Sequence, residues 1–355
     1  MPIPTEPIGS IPRPSELIEA IRKQQEGTIP PSDFRRIVDE ALADTIRRFE
    51  ETRSPVISDG EQAKPSFATY PLDGSTQLAP DGVVILFEDG HTRQLPRLTG
   101  GPFRYGIHAD RYIREAKKLT RLPVKQAVIS PSALSLLYPA KPIPGYSREQ
   151  FLEDLKTEAE ADIRGSLDAG AHCVQMDFTE GRLSLKLDPS GSLLRSFIDL
   201  NNQVLDTFSP LERTRIGVHT CPGGDQDQTH SASVDYAGLL PLLFELKAGR
   251  FYIQLASEPN REHVLRLIAA HLKPTQVVFV GVIDPLDPQI ESPEEVRERV
   301  LQAAAFIPLA QLGTTDDCGF SPFADDCSTP RNIAFAKIRA RVQGTALAER
   351  ALNVA

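Results

Sequence analysis

Cysteine is scarce in this chain, with four thiols in 355 residues. Four cysteines do not make a disulfide framework at this length, so we expect packing residues or metal ligands in a reducing compartment. Long apolar runs are also lacking, because stretches such as residues 238–244 fall far short of the roughly 20 residues that a membrane helix needs. No basic segment followed by an apolar core stands at the N-terminus. We therefore expect a cytoplasmic protein without a secretory signal.

Basic residues are fewer than acidic ones: the chain has 39 Lys and Arg and 48 Asp and Glu, which gives a formal net charge of −9. An acidic chain of this kind has no electrostatic footprint for nucleic acid or for an anionic membrane, and we expect neither as a partner. The apolar fraction of 40 % is ample for one large core. Internal repeats are also lacking, so residues 1–355 are expected to form a single catalytic domain.

The second half of the chain alternates short apolar strands with helices. Helix starts are marked by Ser147 three residues before Gln150, and by Ser292-Pro293 followed by Glu295, because Ser caps free amides and Pro fits the first turn. This alternation predicts a parallel sheet with right-handed crossovers. Strands are predicted over 171–176, 215–219, 251–255, 276–283 and 310–314, and helices over 148–169, 236–246 and 262–272, from 293 and after 330.

Reactive side chains fall at the ends of these predicted strands. They are Asp177, His219, Cys221, Asp284 and Cys318. In a barrel such strand ends converge on one face, whereas an open sheet would spread them along an edge. A Gly-x-Gly-x-x-Gly loop, typical of open dinucleotide-binding sheets, follows none of the strands. The sequence therefore predicts an α/β protein with a (β/α)8 TIM barrel, and an Asp-Gly turn indicates an inserted β-hairpin near residues 83–98.

The spacing of His219 and Cys221 suits a metal ion. Alternate residues leaving a strand point the same way, so both side chains can reach one ion, and Cys318 could add a second thiolate. One nitrogen and two sulfurs suit zinc better than magnesium or calcium. The same pair also occurs as ordinary packing, so spacing alone leaves both interpretations open. We expect His108, His172, His230, His263 and His271 to be structural or surface residues, Cys173 to lie in the core, and Cys327 to be a surface thiol.

Five short motifs occur in an order that identifies a family. They are Ile8-Gly9-Ser10-Ile11-Pro12, Asp59-Gly60-Glu61-Gln62, Gln175-Met176-Asp177, His219-Thr220-Cys221 and Asp317-Cys318-Gly319. Together they resemble the catalytic C-terminal domain of cobalamin-independent methionine synthase over nearly the whole chain. Among its short stand-alone relatives, the chain looks closest to the zinc-dependent epoxyalkane:coenzyme M transferase branch.

The resemblance implies specific roles for these residues. It implies that His219, Cys221 and Cys318 bind Zn²⁺, which activates a thiol. It also implies that Glu61 holds the amino group of homocysteine, and that Asp177 and Ser10 contact the same substrate. The implied activity is alkyl transfer, foremost methyl transfer, from a small-molecule donor to a small-molecule thiol, in methionine biosynthesis.

The chain departs from the family pattern at several positions. Gln254 stands where the family has a glutamate as fourth zinc ligand, so a weak amide ligand, Glu258 as a substitute, or water are the alternatives. Phe178-Thr179 replaces Glu-Pro, and Leu286 stands where a functional histidine is expected. These changes, with the absence of the synthase's N-terminal half, make methyltetrahydrofolate an unexpected donor.

Two other functions compete with methyl transfer to homocysteine. One is a lyase or transferase that makes or breaks a carbon–sulfur bond on another thiol, as in epoxide opening by coenzyme M. A sulfonate thiol would need a basic residue near the metal, for which Arg13 and Lys64 are the candidates. The other is a non-catalytic, degenerate barrel that retains zinc or has none, and His219, Cys221 and Cys318 argue against a metal-free barrel.

Overall fold

Runs of β-branched and aromatic residues such as Val277–Ile283 form the strands, because these side chains fit a pleated, buried surface. A computed structural model describes residues 2–354. Its strands are β1 (Leu78–Ala79), β2 (Val84–Leu86), β3 (Thr92–Gln94), β4 (Arg97–Leu98), β5 (Gln126–Ile129), β6 (Val174–Asp177), β7 (Ile216–Thr220), β8 (Gly224–Asp225), β9 (Gln228–Thr229), β10 (Arg250–Ile253), β11 (Val277–Ile283) and β12 (Leu312–Asp316).

Helices connect the strands and cover the sheet. They are α1 (Ser15–Gln25), α2 (Pro31–Glu51), α3 (Asp110–Leu119), α4 (Pro131–Ser135), α5 (Arg148–Asp168), α6 (Glu180–Leu187), α7 (Ser192–Leu205), α8 (Pro210–Arg213), α9 (Leu240–Leu243), α10 (Arg261–His271), α11 (Pro293–Ala304) and α12 (Arg331–Ala351). Three of these have 21 residues. Within residues 2–354, however, no helix combines the length and the apolar character needed to cross a membrane.

The parallel strands close into a ring. Six of them lie in the spatial order β12, β11, β10, β7, β6, β5. At one edge Thr5 bridges Thr314 of β12, and at the other Ile57 bridges the chain two residues before β5. These two extended segments meet where the Ser58 hydroxyl donates to the Gly9 carbonyl at 2.6 Å. Eight segments thus complete the circuit, and the predicted barrel is confirmed.

Local sequence patterns predict several secondary-structure elements correctly and one incorrectly. The Ser147 and Ser292 side chains both form the expected reciprocal caps. The predicted helix over 236–246 is wrong in extent, because only Leu240–Leu243 is helical. Pro241 lies in its first turn, and since proline has no amide to donate, a helix cannot run through it from upstream.

The predicted β-hairpin is confirmed as an insertion. Strands β2 and β3 pair antiparallel, with Val84 opposite Gln94 and Leu86 opposite Thr92. The turn contains Gly90 at a φ of 93°, a left-handed conformation that glycine adopts without strain.

A buried charge cluster lies at the N-terminal end of the barrel. The Glu6 carboxylate, 1 % exposed, accepts hydrogen bonds from the Tyr252 hydroxyl and the Arg250 guanidinium, each at 2.6 Å. The Lys125 Nζ lies 3.9 Å from it. Burial alone would raise the pKa of Glu6, but a hydrogen bond with His172 and the charges of Lys125 and Arg250 lower the pKa to about 2. The ionised carboxylate therefore stabilises the fold.

Replacing Glu6 with glutamine should destabilise the protein strongly. The change leaves Lys125 and Arg250 without a counter-charge, and breaking a buried ion pair costs about 3–5 kcal/mol. Urea unfolding at pH 7 measures this loss. Glu19→Gln, in an exposed ion pair of α1, is the control and should leave the midpoint unchanged.

The loss should also depend on pH. Because the folded pKa of about 2 lies below the ordinary 4.5, the stabilisation by Glu6 is present above pH 4.5 and disappears as the pH falls towards 2. The difference in the free energy of unfolding between the parent protein and Glu6→Gln should therefore become smaller as the pH falls through this interval. A difference that stays constant with pH would contradict the assignment.

Candidate metal centre

Three potential metal ligands converge at the carboxyl ends of the strands. His219 lies in β7, Cys221 directly follows that strand, and Cys318 stands two residues beyond β12. Parallel strands in a closed ring end on one face, so residues distant in sequence meet there. The ligand atoms of the three side chains all lie within 4.8 Å of one another. The structure thus brings together the three residues singled out in the sequence.

The surroundings of these atoms fit a bound cation. His219 Nδ1 lies 3.4 Å from the Tyr252 carbonyl, while its Nε2 is buried without a hydrogen-bond partner in the part of the chain that the structure describes. A buried polar nitrogen needs a partner. The Cys221 and Cys318 sulfurs lie 3.2 Å apart, and the Gly223 amide donates to the Cys221 sulfur at 3.4 Å. One nitrogen and two sulfurs form a donor set that zinc accepts.

The two thiols also need a positive charge nearby. The hydrogen bond with Cys221 raises the pKa of Cys318 well above its ordinary value, and burial acts in the same direction. Two adjacent thiolates repel each other, so both can be ionised only beside a cation. A divalent metal ion supplies that charge.

Gln254, the candidate for a fourth ligand, has different surroundings from the other three candidate residues. Gln254 directly follows β10, and its amide Nε2 donates to the Ser257 hydroxyl at 2.5 Å. Its carbonyl accepts from Arg182 Nη1 at 3.2 Å. Glu258 is paired with the same guanidinium at 2.7 Å. The Glu258 carboxylate is therefore engaged with Arg182, and it is not part of the group formed by His219 and the two cysteines.

A cavity opens beside the group of three residues, and His219 and Cys318 line it. Ser10, Glu61 and Asp177 all line it, so the predicted substrate residues face one space. Glu61 Oε1 accepts from Lys64 Nζ at 2.9 Å, and Asp177 Oδ1 accepts from the Gln175 amide at 2.7 Å. Burial raises the pKa of Asp177 to about 6. Glu61 has a φ of 56°, a left-handed conformation that is unusual outside glycine and concentrates at functional sites.

Comparison with known proteins agrees with this geometry. The family described as "Cobalamin-independent synthase, Catalytic domain" matches residues 3–331. The chain belongs to this family. A B12-independent methionine synthase from Shewanella sp. W3-18-1, solved in complex with selenomethionine, has the same fold, with a TM-score of 0.79, 18 % identity and full coverage of both chains.

Two named relatives differ in how much of their length is matched. The 5-methyltetrahydropteroyltriglutamate–homocysteine methyltransferase of Trichodesmium erythraeum is 25 % identical over 95 % of this chain, which spans only 44 % of that enzyme. The methionine synthase of Pyrococcus furiosus is 22 % identical over 96 % of this chain and 91 % of its own. The chain thus corresponds to less than half of the longer synthase and to nearly all of the short one.

The two basic residues that are candidates for binding a sulfonate already donate hydrogen bonds to other groups of the protein. Arg13 donates to the carbonyls of Ser321 at 2.6 Å and Glu61 at 2.7 Å. Lys64 donates to Glu61 and to the Ala127 carbonyl at 2.8 Å. Both cations are buried. Neither is free to hold an anionic group in the cavity of this family member.

Several residues of the cavity wall carry no signal in the sequence. The wall includes the hairpin residues Ile85, Phe87 and Arg93 as well as His230. His230 is buried, with its ring against Gly223, where a Cβ would lie 1.8 Å from His230 Nε2. The Gly223-Gly224 pair is the one local hint, because glycine permits such a close approach.

Gly223→Ala should therefore displace His230 and destabilise the protein. Gly223 has a φ of 73°, and both this strain and the clash with the imidazole oppose a Cβ. We expect a loss of about 1–3 kcal/mol in the free energy of unfolding, measured by urea denaturation. The neighbouring Gly224→Ala is the control, because a Cβ there would meet its nearest atom, on Leu286, at 3.6 Å. Equal losses in the two variants would contradict the close packing of His230.

Proposed function

We propose that this family member is a zinc-dependent alkyltransferase that transfers a methyl group to the thiol of homocysteine. One observation carries the proposal: buried His219, whose Nε2 has no partner within residues 2–354, lies with two cysteine sulfurs in one group beside a cavity that two carboxylates line. The names of the relatives from Trichodesmium erythraeum and Pyrococcus furiosus support the same reaction.

In this proposal His219, Cys221 and Cys318 hold the zinc. Zinc, when bound, favours the ionised and nucleophilic form of a thiol. The Tyr252 carbonyl orients the imidazole so that Nε2 faces the ion, as outer partners of metal-binding histidines generally do. Gln254 is the weak fourth ligand of the proposal, with Glu258 as the substitute if its contact with Arg182 breaks.

The charge of the cavity favours an amino-acid thiol. Within residues 2–354, Glu61 and Asp177 each use one carboxylate oxygen in side-chain hydrogen bonds, which leaves the second oxygen for a substrate. Two carboxylates facing one space attract an ammonium group and repel a sulfonate. Because Arg13 and Lys64 are both engaged, a coenzyme M-like thiol fits this cavity less well than homocysteine.

The first test is metal content. Purified protein should carry about one zinc per chain, and Cys221→Ala or Cys318→Ala should lose it, because removing a ligand opens the site. Cys327→Ser is the matched control, since that thiol is exposed and outside the group of three. Metal analysis after purification without chelator measures the content. Protein that binds no transition metal would refute the proposal.

The second test concerns the acceptor. Glu61→Gln and Asp177→Asn should raise the KM for homocysteine roughly tenfold or more, because each removes a charged contact to the ammonium group. Both should retain zinc. The rate with 2-mercaptoethanol, which has no amino group, should be affected much less. A similar loss with both thiols would show that the carboxylates do not bind the ammonium group.

A further inference from the structure

The outer part of the cavity is aromatic. We call it the loop wall and define it by Phe67, Ile85, Phe87, Pro322 and Phe323, which all line the cavity. Phe67 and Phe323 pack edge to face, with ring centroids 5.6 Å apart. The face of a phenyl ring carries negative electrostatic potential. The Arg93 guanidinium already stacks on Phe323 and the His91 ring on Phe87, so the loop wall is apolar aromatic surface of the kind on which cationic groups pack.

The one arginine or lysine that lines the cavity among residues 2–354 is fully neutralised. Arg93 Nε donates to Asp225 at 2.5 Å and its Nη2 to the same carboxylate at 3.0 Å. Its Nη1 donates to Asp325 at 2.9 Å, and the guanidinium stacks on Phe323 at 4.2 Å. Two carboxylates against one guanidinium leave a net negative charge. This group therefore offers no free cation to an anionic substrate.

His230 lines this space with an imidazole held in place by a neighbouring serine. The Ser231 hydroxyl lies 3.0 Å from the Pro222 carbonyl and 3.0 Å from His230 Nδ1. Burial lowers the pKa of His230 to about 4, with the charges of Lys186 and Arg182 acting in the same direction, which keeps the ring neutral.

We propose that the alkyl donor of this site is an onium compound, a methylsulfonium or a quaternary methylammonium. The inference rests on the proposed thiol alkylation. Aromatic side chains, a neutral imidazole and an arginine paired with two carboxylates favour a cation over an anion here, and aromatic walls are a common means of binding quaternary ammonium groups. An anionic donor would meet no free Lys or Arg on the described wall.

The chemistry of the leaving group also favours an onium donor at this apolar wall. The thiol sulfur forms a bond to the methyl carbon while the bond from carbon to the onium atom breaks, and the electron pair leaves with that atom. A sulfonium departs as a neutral sulfide, so it needs no proton, and the thiol proton is released to solvent. A tertiary amine donor would depart as an anion and need an acid. Leu286, near Gly224, is apolar and offers no proton to such a leaving group.

The test compares donors on the zinc-loaded full chain with homocysteine. Trimethylsulfonium or tetramethylammonium should methylate it at least tenfold faster than methyltetrahydrofolate. With trimethylsulfonium one proton should be released per turnover in weak buffer, whereas trimethylamine, which leaves from tetramethylammonium, is a base and takes up that proton. The comparison of the two salts distinguishes sulfur from nitrogen donors. Methyl iodide can methylate an activated thiol without a binding site for the donor. It therefore tests the thiol alkylation separately from the onium donor. If methyl iodide reacts in an enzyme-dependent way but neither salt does, the onium inference fails and the thiol alkylation stands. If no donor reacts, both fail.

Two further measurements test the recognition itself. Phe87→Leu keeps an apolar side chain but removes a ring face, so KM for the onium donor should rise roughly five- to tenfold. Phe306→Leu, outside the cavity, should not change it. Choline should inhibit about tenfold better than its uncharged isostere 3,3-dimethylbutanol. Equal inhibition by the two compounds, or faster turnover of methyltetrahydrofolate, would overturn the proposal.

Discussion

Parallel pairing in a closed ring is the constraint on which the rest of this structure depends. In that register Asp177 of β6 lies opposite His219 of β7, and His219 lies opposite Tyr252 of β10. A proposed substrate contact, a proposed metal ligand and the residue whose carbonyl lies beside its imidazole are thus neighbours across three strands. The loops need only add Cys221 and Cys318 at the strand ends, because the sheet has already aligned the others.

A single carboxylate ties two of those strand ends together. Asp317 accepts hydrogen bonds from the amides of Leu255 and Ala256, both at 2.8 Å, and from that of Ser257 at 2.7 Å. These three residues directly follow Gln254. Because Asp317 also precedes Cys318, the loop after β10 and the cysteine after β12 are held as one unit. Burial and the charge of Asp284 raise the pKa of Asp317 to about 7, and the hydrogen bonds from Leu255 and Ser257 act in the opposite direction.

The same carboxylate explains a glycine in the sheet. A Cβ at Gly281 of β11 would lie 1.7 Å from Asp317 Oδ1. The strand between β10 and β12 must therefore lack a side chain at this point for the carboxylate to reach across it. The glycine, the aspartate and the three amides form one device that fixes the spacing between Gln254 and Cys318.

Sequence reasoning predicted what short-range patterns encode. The barrel, the caps at Ser147 and Ser292, and the meeting of His219 with Cys221 follow from periodicity, capping chemistry and strand-end placement. The motif resemblance pointed to Glu61 and Asp177, which line the same cavity. The prediction of a helix over 236–246 is wrong in extent, because Pro241 lies in the first turn of α9 and the helix does not extend upstream of it.

Other features depend on contacts that no local pattern reports. Glu6 meets Arg250 across 244 positions of sequence, and Arg93 of the hairpin meets Asp225 across 132. The protonation of His230 depends on where the Ser231 hydroxyl points, which only the folded loop determines. Polar networks of this kind are set by tertiary geometry, so the electrostatic character of the cavity could not be predicted from the sequence.

The electrostatic character of the cavity bears on the proposed metal centre and on both proposed substrates. In the proposed site, two cysteine thiolates would offset the charge of a zinc ion, and Gln254, being neutral, would add no further negative charge, whereas the family glutamate would. Glu61 is paired with Lys64 at 2.9 Å, so the remaining negative charge of the cavity lies on Asp177 and on the cluster of Arg93 with its two aspartates. Negative charge on the cavity wall attracts cations without adding an anionic ligand to the ion. A neutral fourth position therefore suits the recognition of acceptor and donor by positive charge that we propose.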